Sequence, residues 1–126
     1  MGRIALDTSA LIALTESSNE RHAMVLEHLQ QSEDVYIISA VTLAEALVRP
    51  FQIGNEPTAL KKIMKFVESV IDVDAELAVA AAEIRAKKKL KMPDSIISAT
   101  ALREKATLVT FDQQLAKAHS GSVLLS

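Results

Sequence analysis

The sequence predicts an α/β fold in which a mainly parallel sheet is covered by helices on both faces. Three observations predict it. Short runs of apolar and β-branched residues recur along the chain, bounded by polar or turn-forming residues. Longer segments with apolar residues three and four apart lie between them, which is helical spacing. The two kinds of segment alternate, and strands that run parallel need such helical crossovers.

Residues 3–6 form a short buried strand, and residues 8–16 a helix with Asp7 at its mouth. Asn19 is placed to cap a second helix over residues 20–31, with Met24, Val25 and Leu29 among its apolar positions. The stretch DVYIIS, residues 34–39, is a second strand. AVTLAEALVRPF follows as a helix that Pro50 is expected to stop, because proline has no amide hydrogen to continue the ladder. Residues 53–57 form a loop around Gly54. Residues 58–70 read as a helix with Leu60, Ile63, Met64 and Val67 on one side, and IDVD, residues 71–74, as a short third strand. Asp74 caps a long helix over residues 75–89, and Pro93 opens another that runs to about Glu104. TLVTF is the fourth strand, residues 112–117 a short helix, and SVLLS a last strand.

With 126 residues, the chain is expected to form one domain, residues 1–126, without internal repeat or linker. Hydrophobic residues make up 49% of it and aromatics only 3%, so aliphatic side chains must fill the core. The absence of cysteine excludes disulfides and thiolate metal sites. His22, His28 and His119 lack the spacing of a histidine metal site, so any metal must be held mainly by carboxylate oxygens, which suits Mg²⁺ or Mn²⁺. No run approaches the roughly 18 apolar residues of a membrane span. Asp7 breaks the N-terminal apolar run, so a signal peptide is not expected either. These features predict a soluble cytoplasmic protein with no membrane contact. The net charge of −2 does not by itself point to nucleic acid.

Four acids stand out. Asp7 follows the first strand directly, and Asp112 closely follows the fourth, so both belong to the carboxyl edge of a parallel sheet, where open α/β sheets bind ligands. Taken alone, each is explained as a helix N-cap. Glu45 shares a helix face with Val41 and Val48, which predicts a partly buried carboxylate. Asp94 lies in the first turn of PDSIISATAL, beside a stripe of Ile97, Ala101 and Leu102 with Ser98 one turn on. Two carboxylates about 4 Å apart repel by about 4 kcal/mol at an effective dielectric near 20. A cluster of four therefore takes up protons or binds divalent cations. Carboxylates around such ions serve in-line displacement at phosphorus.

These residues resemble the PIN domain, a fold of metal-dependent ribonucleases related to flap-endonuclease-type nucleases. ALDTSALIAL looks like the family's opening strand and helix, with its first catalytic Asp at Asp7. ISAVTLAEAL is similar to the segment that carries the family's Glu, here Glu45. LKMPDSIISATAL matches its third acidic motif, at Asp94, and ATLVTFDQQL its fourth, with Asp112 as the acid and Thr110 as a nearby hydroxyl. Two departures accompany the match. Leu115 stands where the family often has an aromatic residue, and Ser9 where Asn is also common. The resemblance covers almost the whole chain and implies an α/β/α sandwich with an acidic pocket at the carboxyl edge of its sheet.

Small single-domain members look most like VapC-type toxins, endoribonucleases neutralised by an antitoxin and commonly dimeric. That implies Mg²⁺ or Mn²⁺ held by Asp7, Asp94 and Asp112, with Glu45 as ligand or as orienter of the attacking water, and RNA cut to a 5′-phosphate and a 3′-hydroxyl. Thr8 and Ser9 supply hydroxyls to the same corner, although Ser9 also fits ordinary helix-start chemistry. Arg49, Arg85, Lys87, Lys88, Lys89 and Lys91 are candidate RNA-binding residues, and Lys61, Lys62 and Lys65 form a further basic cluster. The basic run also suits a helix C-terminus. The rival reading is a catalytically inert PIN module that binds RNA or a protein partner. A small-molecule phosphatase shares the metal logic but lacks a D-x-D strand motif, and a receiver domain lacks an acidic pair after the first strand.

Overall fold

In a computed structural model, which describes residues 2–126, five parallel strands form one sheet in the order β3-β2-β1-β4-β5. Met1, part of the single domain expected over residues 1–126, lies outside the described residues. β1 is Arg3–Leu6, β2 Val35–Ser39, β3 Val67–Ile71, β4 Thr107–Thr110 and β5 Ser122–Leu124. Seven helices connect them: α1 Thr8–Thr15, α2 His22–Leu29, α3 Ala40–Ile53, α4 Glu56–Phe66, α5 Ala75–Lys88, α6 Met92–Arg103 and α7 Gln113–Ala118. No helix among the described residues is long and apolar enough to cross a membrane.

Side chains alternate across a strand, and that alternation builds two cores. Ile4, Leu6, Ile38 and Val109 face one side, where Leu11, Leu14, Val25, Leu29, Ala46 and Ile63 of α1 to α4 cover them. Ala5, Ile37 and Leu108 face the other, under Ile97 and Ala101 of α6 and Leu115 of α7. Leu77 and Ala81 of α5 pack on Ala99 of α6, outside that layer. The expected α/β/α sandwich is therefore the observed one.

Several boundaries differ from the sequence reading, each for a local reason. Pro50 does not stop α3. The ring sits buried inside the helix, and termination falls at Gly54, whose φ of +77° lies in the left-handed region that glycine adopts without steric cost. The Pro50 carbonyl then accepts from the Gly54 and Asn55 amides. α4 starts before residue 58, since Pro57 suits a first turn. It ends at Phe66, because VESVI pairs with β2 as β3, one stretch earlier than IDVD. α2 starts at His22, and Asn19 instead closes a turn by accepting from the Arg21 amide at 2.8 Å. Asp74 caps α5 as expected, accepting from the Leu77 amide at 2.8 Å.

The topology locates the site. β1 lies between β2 and β4, and the strand order reverses there, because β1 to β3 run one way across the sheet and β4 and β5 continue from its other side. Such a switch point opens a crevice beyond the strands' carboxyl ends. Asp7 ends β1 at that crevice, and Phe111 and Asp112 follow β4 there.

Candidate active site

Asp7 is 5% exposed, and its carboxylate is held on both oxygens. Oδ1 accepts from the Ala10 amide at 2.8 Å and from the Ser9 hydroxyl at 2.9 Å. Oδ2 accepts from the hydroxyl of Thr110 on β4. The helix-cap role is thus real, and it coexists with a place at the crevice. Burial pushes the carboxyl above its ordinary range. The hydrogen bonds from Thr110, Ala10 and Ser9 pull the other way, and the charge of Asp112 adds to the rise.

Asp112 caps α7, accepting from the Gln114 amide at 2.8 Å and the Leu115 amide at 3.2 Å. Its own amide donates to Thr110 Oγ1 at 2.9 Å. Asp94 sits half-buried in the first turn of α6. Burial raises its carboxyl above the usual range, the charges of Asp112, Asp7 and Glu45 raise it further, and Lys91 offsets part of this. Glu45 accepts from the Thr8 hydroxyl at 2.6 Å. The sequence expectation for its surroundings needs correction. α3 buries Thr42, Ala46 and Pro50, whereas Val48 is 55% exposed, so Glu45 stands on the outward side of the helix. Leu102 likewise leaves the predicted stripe of α6 and is exposed, while Ile97, Ser98 and Ala101 are buried.

All four acids line one open cleft of about 500 Å³, together with Thr8, Ser9, Arg21, Lys91 and Phe111. Among the described residues, no three His, Asp or Glu side chains stand close enough to cage an ion by themselves. The donor set is nonetheless oxygen-only and anionic, and the charges of Asp112, Asp7 and Glu45 add to the effect of burial in raising the Asp94 carboxyl. That fits a hard cation such as Mg²⁺, which keeps several waters and takes one or two carboxylates directly. It does not fit an ion held wholly by protein ligands.

Of the six candidate RNA-binding residues, the structure brings Lys91 to the cleft. Arg49 opens on a separate cavity of about 380 Å³ between α1, α3 and α4, with Lys62. Arg85 turns back to donate to the Leu90 carbonyl at 2.8 Å. Lys87, Lys88 and Lys89 line a third concavity with Gln114 and Lys117 of α7. Sequence reasoning passed over Arg21 and Phe111. The one available signal was an aromatic residue directly before Asp112.

Comparison with known proteins agrees with this architecture. No curated protein matches the sequence. Among solved structures, a toxin–antitoxin complex from Klebsiella pneumoniae contains a chain 27% identical to this one, with a TM-score of 0.80 and 95% of each chain covered. FitAcB from Neisseria gonorrhoeae is similar at 24% identity and a TM-score of 0.76, with 96% of each chain covered. VapC20 from Mycobacterium tuberculosis, a sarcin–ricin loop cleaving toxin, shares the fold at 20% identity and a TM-score of 0.74, over 91% of this chain and 94% of that one. The PIN domain family model matches residues 4–120. A parallel sheet whose switch point gathers four acids, matched over nearly its full length by that model, places the chain in the PIN domain family.

Proposed function

We propose that this chain is a divalent-metal-dependent endoribonuclease and the toxin of a toxin–antitoxin pair. One observation carries the reading. Asp7, Glu45, Asp94 and Asp112 come from four separate segments of the chain, yet line a single cleft at the carboxyl edge of the sheet. Membership of the PIN family supports it, as does similarity to a chain from a toxin–antitoxin complex.

In this reading one or two of Asp7, Asp94 and Asp112 would take Mg²⁺ or Mn²⁺ directly and the others through its bound waters, and the ion would supply water activation and charge neutralisation at phosphorus. The chain's own groups do the rest. Ser9, Ala10 and Thr110 fix both oxygens of Asp7, so its position costs no reorganisation during reaction. Thr8 fixes one oxygen of Glu45, leaving the other to orient the attacking water. Lys91, at the start of the helix that carries Asp94, offers positive charge to the phosphate in the same cleft. Cleavage leaves a 5′-phosphate and a 3′-hydroxyl. An antitoxin protein is the regulating partner, the toxin acts as a homodimer, and its place of action is the cytoplasm, where RNA is found.

The test is incubation of purified protein with single-stranded and structured RNAs in Mg²⁺ or Mn²⁺, with a chelator control. Internal cuts bearing 5′-phosphates, lost with chelator and in Asp112→Asn, are expected. RNA that binds but stays intact with every divalent ion tried would leave the inert-module reading in its place. If a small reading frame adjoins this one, co-expression with its product should silence cleavage.

A further inference from the structure

Arg21 and Phe111 stand at the rim of the acidic cleft. The Arg21 guanidinium carbon lies 4.5 Å from the centre of the Phe111 ring. Four carboxylates line the same cleft, yet among the described residues none forms an ion pair with Arg21. The ring, not an acid, is its partner. Phe111 is a firm platform, since it is half-buried against the core of β1, β4, α1 and α2 and its backbone neighbours are Thr110 and Asp112. Arg21 is held at its backbone by Asn19.

The same two residues form the wall between the acidic cleft and a second concavity, of about 240 Å³. Met24, Gln113, Leu124, Leu125 and the polar Ser126 line its other sides, and both Met24 and Leu124 are exposed. It thus joins an apolar floor, an amide side chain, an aromatic edge and an unneutralised guanidinium. A helix about 10–12 Å across is too wide for it. A single nucleoside is flat and suits it, and arginine with an aromatic ring is the chemistry that holds unstacked bases and their phosphates.

We propose that Arg21 and Phe111 build a nucleotide subsite beside the scissile position: the guanidinium takes the next backbone phosphate of the RNA, and the attached base seats in the adjoining concavity against Phe111 and Met24. The subsite rests on the reading of the acidic cleft as a ribonuclease site. It solves a problem that cleft poses, because four acids repel the polyanion and Lys91 is the one other cation in their lining among the described residues.

The experiment uses the full chain carrying Asp7→Asn, so that RNA is bound and not cut, titrated with a labelled single-stranded oligoribonucleotide at several salt concentrations. Arg21→Gln should weaken binding about 10-fold and flatten the log–log salt slope by about 0.7, the value of one phosphate contact on a single strand. Arg21→Lys should restore the slope. Phe111→Leu should weaken binding by a similar factor without changing the slope, and Phe111→Tyr should restore it. In the active chain, Arg21→Gln should raise KM and leave kcat within about twofold. Melting curves identify any variant that fails to fold, and Arg21→Gln, at an exposed position, decides the matter if Phe111→Leu does so. Unchanged affinity and salt slope in Arg21→Gln overturn the subsite, and continued cleavage by that variant leaves the nuclease reading standing. Arg21-dependent binding by a chain that cuts no RNA with any divalent ion keeps the subsite and overturns the nuclease reading.

Discussion

Thr110, at the end of β4, donates its hydroxyl to Asp7, at the end of β1, and the same oxygen accepts from the Asp112 amide. One buried hydroxyl thus ties together the first and last acids of the cleft. Thr110→Val keeps the shape and removes both bonds. It leaves a buried carboxylate oxygen and an amide without their partner, a loss of about 1–3 kcal/mol. Chemical denaturation should show that loss, and cleavage should fall because Asp7 is no longer held.

Asp7→Asn asks a different question of the same place. The amide oxygen can still accept from Ala10 and Ser9, and the amide nitrogen can donate to Thr110, whose hydroxyl has two lone pairs. The Thr110 hydroxyl hydrogen loses its acceptor, a cost of about 1–3 kcal/mol that removal of the buried Asp7 charge offsets, so the fold should survive. Cleavage should vanish. A folded Asp7→Asn chain, free of contaminating ribonuclease, that still cut RNA at the parental rate would remove Asp7 from the mechanism.

The crowding of Asp94 has a thermal signature. Its folded carboxyl titrates above the ordinary 3.8, through burial first and then the charges of Asp112, Asp7 and Glu45. Stability from this group is therefore complete below about pH 3.8 and declines as pH rises through the folded value. At pH 7 without divalent ion, Asp94→Asn should melt above the parent. Mg²⁺ or Mn²⁺ should raise the parent's melting temperature, by the equivalent of about 2.7 kcal/mol at a hundred times its Kd, and raise the variant's less. A parent indifferent to both ions in a thermal melt would count against a metal centre.

His119 works with the opposite sign. It is 3% exposed, its Nδ1 lies 2.6 Å from Ser98 Oγ, and burial holds it below its ordinary value of 6.5. The unfolded chain takes the proton first, so stability from this group is complete above about pH 6.5 and is lost as pH falls toward the folded value. Denaturation midpoints measured at pH 7.5 and at pH values below 6.5 should differ more in the parent than in His119→Gln.

Thr42 supplies a stabilising change. It is fully buried on α3, and its hydroxyl finds no hydrogen-bond partner. Thr42→Val preserves the shape and removes the unpaired group, which should stabilise the chain by about 1 kcal/mol in urea unfolding. A destabilised variant would mean that the hydroxyl has a partner in solution, such as a buried water.

Much of this architecture is legible in the residues themselves. IAL, YIIS and TLVT declare buried strands through unbroken apolar and β-branched runs. Asp7, Asp74 and Asp112 mark helix starts, since a short acidic side chain ahead of a helical segment has local amides to satisfy. The four acids, too, could be picked out one by one. β3 was harder to place. Ile63, Val67 and Val70 continue a helical spacing through VESVI, and only pairing of Tyr36 with Val67 and Ser39 with Ile71 makes that stretch a strand. Pro50 likewise ends a helix by local rules, yet here it lies buried within one that runs on to Gly54.

The sequence alone determined the layered α/β class, the caps and the identity of the acids, because strand runs, helical spacing and cap chemistry act between near neighbours. Only the tertiary structure decided what meets at the cleft. Thr110 reaches Asp7 because β1 and β4 are adjacent at the switch point of the sheet. Arg21 reaches Phe111 because α2 packs on the face that β4 helps to form. The lysines at the end of α5 line a different concavity, with Gln114 and Lys117 of α7, and not the cleft. Long-range pairing sets these distances, and no local pattern along the chain encodes which strands become neighbours.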